Sequence, residues 1–211
     1  MERLCQAYWY PLYAYVRRLG HSAHDSEDLI QGFFAQAIEK NYLASADQEK
    51  GRFRSFLLLA LKRFMANEWH RNRALKRGSG QPAISLDALS AERRYALEPA
   101  DGLSADKLFE RRWALTLLET VLARLEAEQR EAGRAKLFEE LKPSLIGGGR
   151  GTPYSEIARA LGLSEAAVKV AVHRLKRRYR EILELEIANT VASPEQIAEE
   201  RRHLLAAVSS A

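Results

Sequence analysis

Gly162 separates two helical patterns of different character, and that break constrains the fold more than any other feature of the chain. Upstream of it, Ile157, Ala158 and Leu161 recur at helical spacing and give residues 154–161 one apolar face. Glycine takes a left-handed turn without the steric cost of a Cβ, so the first helix is expected to end there. Leu163 is expected to plug the corner. Ser164, followed by Glu165 and Ala166, reads as the N-cap of a second helix. Val168, Val172, Leu175 and Tyr179 form its inner stripe, leaving Lys169, His173, Lys176 and Arg180 on an opposing face. A short helix, a glycine turn and a basic amphipathic helix are the parts that place side chains in a major groove. The plainer reading is an αα-hairpin whose second helix has a solvated charged face. DNA is favoured because no acid interrupts Ala166 to Arg180.

Charge outside this segment points the same way. The 211 residues carry a net charge of +5, and Lys62, Arg63, Arg71, Arg73, Lys76 and Arg77 make a second basic block opposed only by Glu68. Two such blocks, about a hundred residues apart, suggest two contacts with one long polyanion. The single cysteine, Cys5, excludes an internal disulfide and fits a reducing compartment. The N-terminus is too polar for a signal peptide, and no apolar run reaches bilayer length, so a cytoplasmic protein is expected.

Helical periodicity dominates, and no alternating strand of useful length stands out. The expected fold is all-α, with two small helical domains joined by a linker. Residues 1–77 form the first domain, with a helix from about Arg3 to Leu19 kinked or broken at Pro11. A second helix begins at His24–Asp28, and a third runs from about Phe53 to Lys76. Residues 78–103 read as a linker, because Ile84 to Gly102 shows no sustained period. Residues 104–188 form the second domain, with a short helix to Leu141 and then a loop through Pro143 and Gly147–Gly151. Residues 189–211 read as an added helix opening at Ser193-Pro194-Glu195.

Two separate segments resemble one family. Asp25-Ser-Glu-Asp-Leu-Ile-Gln31-Gly-Phe-Phe34 is similar to the signature of extracytoplasmic-function sigma factors, in the sigma-70 family, and Phe56–Arg73 resembles the following helix of the same domain. Residues 154–183 look like that family's second DNA-binding domain. The resemblance implies a bacterial subunit that binds core RNA polymerase and directs initiation at promoters. It implies that Asp25, Glu27, Asp28 and Gln31 meet a coiled coil of the largest polymerase subunit. The loop from Ser45 to Arg52, with Arg63, Asn67, His70, Arg71 and Arg73, would face the melted −10 element. There Phe64 and Trp69 could add stacking faces for unpaired bases, although Trp69 also reads as core. Ser164 to Arg178 would read the −35 element, with Glu165, Lys169 and His173 as base readers and Arg174, Lys176, Arg177 and Arg178 as phosphate clamps.

The chain departs from the family pattern at Gly32, where an acid is usual, at Arg63 in place of Asn, and at Asn67 in place of Asp. Gly32 implies either a weakened acidic patch or a close approach by a neighbour. Ser55, in Arg52-Phe-Arg-Ser55, is a candidate phosphorylation site whose charge could replace the missing one. Core RNA polymerase and promoter DNA are therefore the expected partners, with an anti-sigma factor or a Ser/Thr kinase as further candidates and no membrane.

No cofactor, metal or catalytic residue is expected. His21, His24 and Asp25 lack a fourth ligand, Glu27 and Asp28 point apart on a helix, and Gly147–Gly151 lacks the Lys-Ser/Thr of a phosphate loop. The rival readings are a stand-alone helix-turn-helix regulator and a helical adaptor. A simple regulator has no need of Asp25–Gln31 and a basic third helix.

Overall fold

The computed structural model describes residues 2–40, 52–74, 86–98, 102–146 and 152–209, and among these there is no strand. The helices are α1 (Glu2–Arg18), α2 (Ala23–Glu39), α3 (Phe53–Ala74), α4 (Leu86–Tyr95), α5 (Ala105–Glu131), α6 (Ala135–Ile146), α7 (Tyr154–Leu161), α8 (Glu165–Ala188) and α9 (Pro194–Ser209). They group into two units, one of residues 1–116 with 190–211 and the other of residues 117–189. The protein is all-α. Its grouping differs from the boundaries expected from sequence, since α4, the start of α5 and α9 all join the first unit.

In that first unit the apolar faces of α1, α2 and α3 meet through Leu12, Ile30, Phe33, Leu57 and Leu61, all buried. Ser22 caps α2 by accepting from the Asp25 N–H at 3.0 Å. The chain stays helical through Pro11, so the expected break is absent. Proline removes only its own N–H from the ladder, and tertiary packing on both sides of it holds the helix.

The segment expected to be a structureless linker contains α4, which meets α1 and α2 and, among its described side chains, joins α1 through polar groups. Tyr13 donates to Glu92 at 2.6 Å, and Arg17 donates to the same carboxylate at 2.7 and 3.0 Å. Tyr10 donates to Glu98 at 2.7 Å while the Arg94 guanidinium lies 4.1 Å from the centre of its ring. Apolar periodicity does not display these charge-assisted hydrogen bonds.

The C-terminal helix is built into the same unit around a buried arginine. Arg54, at the start of α3, is 2% exposed and Glu200 of α9 is 0% exposed. The guanidinium donates to Glu200 at 2.6 Å and to Glu110 of α5, and lies 4.7 Å from the ring centre of Trp113. Trp113 in turn donates to the Tyr8 hydroxyl at 3.2 Å. Arg52 pairs with Glu199 and Glu200, and the Phe53 N–H donates to the Thr190 carbonyl at 3.1 Å. A buried guanidinium is tolerated only when fully paired, and two carboxylates and an aromatic face meet that need here.

The second unit packs α6, α7 and α8 with the later part of α5 over Val121, Leu125, Phe138, Leu141 and Ile157. Helix α6 continues through Pro143 to Ile146, where a loop was expected at that proline. Gly162 has φ +65° and ends α7, with its N–H donating to the Arg159 carbonyl. Ser164 accepts from the Ala167 N–H at 3.1 Å and opens α8.

Candidate functional site

Three helix faces carry the residues singled out by sequence. On α2, Asp25, Asp28 and Gln31 are exposed, whereas Glu27 is 6% exposed and accepts from the Gln31 side-chain amide at 2.9 Å. Glu27 thus lies on the inner side of α2, because positions 26, 27 and 30 fall together on its packed face. The outward ridge runs instead through Asp28, Gln31, Ala35 and Ile38, all exposed. The sequence reading missed Ala35 and Ile38, although i+4 spacing from Gln31 and then i+3 from Ala35 would have found them. A Cβ at Gly32 would stand 3.3 Å from the Phe64 ring, the close approach by a neighbour that its sequence allowed.

On α3, Arg63 and Asn67 are exposed and line up with Phe56 and Leu59, also exposed, at helical spacing. His70, Arg71 and Arg73 lie on the last turns of this helix, and their side chains and that of Trp69 lie outside the described ones. Residues 41–51, which include most of the expected Ser45–Arg52 loop, also lie outside the described residues, as does the Gly147–Gly151 loop. Phe64 is buried, with its ring 5.8 Å edge-on from Phe33, so it offers no face to a base. Phe56 is the exposed aromatic of α3 among the described side chains. Ser55 is exposed in the first turn, as a modified hydroxyl would have to be.

On α8, Val168, Val172 and Leu175 are buried as expected, Tyr179 is half-buried, and Lys169, His173, Lys176 and Arg180 are exposed. Ser164 and Glu165 stand at its N-terminus, and Glu165 pairs with Lys169 at 2.8 Å. This pairing holds the Lys169 ammonium above its ordinary pKa. Arg174 is exposed, and Arg177 is exposed while paired with Glu181 at 3.0 Å. Arg178 is placed differently from its neighbours. Its guanidinium forks onto Glu128 of α5 at 2.7 and 2.8 Å and also reaches Glu181. Hydrogen bonds from Arg178 hold the Glu128 carboxyl below its usual range. Leu163 is 43% exposed and does not plug the turn. The turn closes through backbone instead, with the Leu163 N–H donating to the Ala158 carbonyl at 2.9 Å.

Beside α8 lies an open groove of about 670 Å³, bordered by Arg134, Leu137, Val170 and Arg174. Among the described residues, no group of three or more His, Cys, Asp or Glu is placed to hold a metal ion. Nor is any helix long and apolar enough to cross a membrane.

The first unit thus exposes acidic residues on α2 (Asp25, Asp28) and the basic Arg63 on α3. Residues 4–75, which span α1 to α3, match the family model for Sigma-70 region 2. The matched segment covers about a third of the chain. No curated protein and no solved structure matches the chain.

Proposed function

We propose that the protein is a sigma factor of the extracytoplasmic-function type, binding core RNA polymerase and directing initiation at promoters with −10 and −35 elements. The observation that carries this reading is the match of residues 4–75 to Sigma-70 region 2. The ridge Asp28, Gln31, Ala35 and Ile38, with Asp25 beside it, is the polymerase contact: acidic at one end and apolar at the other. Glu27 supports it from within by fixing the Gln31 amide. Arg63 and Asn67, with His70, Arg71 and Arg73 further along α3, face the melted −10 strand. Opening a promoter unstacks bases, and cations along one helix can hold the displaced strand.

Helices α7 and α8 act as a helix-turn-helix on the −35 element. Lys169 and His173 stand on the exposed face as base readers, and Arg174, Lys176 and Arg177 are phosphate clamps. Arg178 braces α8 against α5. The place of action is the cytoplasm.

Reconstituted transcription tests the proposal. The full chain with core polymerase on a randomised promoter library should yield transcripts from a defined −10/−35 sequence, and Asp28→Lys should reduce them. Duplex binding without core polymerase, and no initiation with it, would establish a stand-alone regulator instead.

A further inference from the structure

Val170 is an apolar side chain on the outward face of α8. At about 100° per residue, Val170 falls almost opposite the buried stripe of Val168, Val172 and Leu175. It is 50% exposed, and Ala166, one turn before it, is exposed as well. Cations surround it on the same surface: Lys169 and His173 on one side, Arg174 on the other, and Arg177 two turns further along, all exposed.

A lone exposed valine on an ordinary surface needs no explanation. This one stands at the centre of the face that would enter the groove, and a β-branched residue there is a poorer helix former than alanine or lysine. It borders the open groove with Leu137 and Arg134, yet half of its surface stays uncovered, and propensity does not favour it. The major groove offers one apolar feature among its donors and acceptors, the 5-methyl group of thymine. The clearance left by Ala166 lets that methyl approach the valine while the flanking cations hold the phosphates.

Building on the −35 reading above, we propose that Val170 is a specificity-determining residue that selects thymine through its methyl group. Replacing thymine by deoxyuridine removes only that methyl and leaves every hydrogen-bonding group in place, so the test isolates the contact.

The −35 sequence selected by polymerase reconstituted with the full chain is first determined, and each of its thymines is then replaced in turn by deoxyuridine. The expected result is one position at which wild-type binding falls roughly three- to fivefold, the factor carried by one buried methyl group. Val170→Ser should bind both duplexes equally, and Val170→Thr, which keeps a methyl, should retain the discrimination. Because Val170 is exposed, neither variant should alter folding. A selected −35 sequence indifferent to uracil at every position, or an equal penalty in Val170→Ser, overturns the role of Val170 and leaves promoter reading intact. Failure to select any −35 sequence overturns promoter reading and this inference with it.

Discussion

At the scale of single residues, Gly32 sits against the Phe64 ring on the face where α2 meets α3. Sequence alone leaves it either as a lost acid on a docking face or as a close approach, and the Phe64 ring supplies the close approach. In mid-helix, alanine should gain about 1 kcal/mol over glycine. Here the new Cβ must push on Phe64, so Gly32→Ala should stabilise by less than that. In a Phe64→Leu background the fuller gain should return. Denaturant melts of the four variants measure this coupling, and an equal gain in both backgrounds would remove the packing account.

Glu92 supports a second prediction at this scale. Hydrogen bonds from Arg17, and then from Tyr13, hold its carboxyl below its ordinary 4.5. A carboxyl with a depressed pKa contributes stability above its unfolded value and loses it as pH falls through the folded one. Wild type should therefore exceed Glu92→Gln in stability at pH 7, with the gap closing as pH drops below about 4.5. A gap that persists unchanged at pH 3 would mean that the carboxylate charge contributes nothing.

Among the elements, α8 was the most legible in sequence, and for a physical reason. Its boundaries depend on local chemistry, a left-handed glycine and a serine cap, and its inner stripe follows a simple period. What could not be read was which arginine faces where. Arg177 and Arg178 are adjacent and identical in type, yet only Arg178 meets Glu128. That carboxylate is fifty residues earlier, and its approach depends on tertiary packing.

The two arginines should separate in experiment. Arg177→Ala should reduce the salt slope of promoter binding by about one unit at unchanged stability. Arg178→Ala should leave the slope alone and lower stability, by no more than about 1 kcal/mol because the pair is partly solvated. Equal salt slopes for both variants would return Arg178 to the phosphate contacts. Helix α4 is the opposite case to α8, since the polar contacts of its described side chains and of Glu98 just beyond it reach partners on α1 some eighty residues away.

For the whole molecule, the sequence reading found the main helices and the Sigma-70 region 2 segment but not how the chain ends group. It treated the last helix as an appendage, since Ile197, Leu204 and Leu205 mark an amphipathic helix without naming its partner. The partner is a buried charge, which no hydropathy pattern displays. Removing Glu200 would leave the buried Arg54 with Glu110 as its remaining carboxylate, so Glu200→Ala should destabilise the first unit by up to about 3–5 kcal/mol. Hydrogen exchange resolved by residue should show protection lost in α1 and α3 and kept in α8. Uniform loss, or none, would contradict the two-unit division.

The interrupted order of the first unit also sets a schedule for synthesis. Residues 117–189 are contiguous and can close as soon as they leave the ribosome, whereas the unit begun at the N-terminus waits for residues 190–209. At about 5–20 residues per second, that wait lasts seconds, with Arg54 already made and Glu200 not yet translated. A nascent chain or one cut short before α9 would hold every residue of the 4–75 segment and still lack the carboxylate that lets α3 settle. On the proposed function, competence for the polymerase would then arrive only after α9 has been translated.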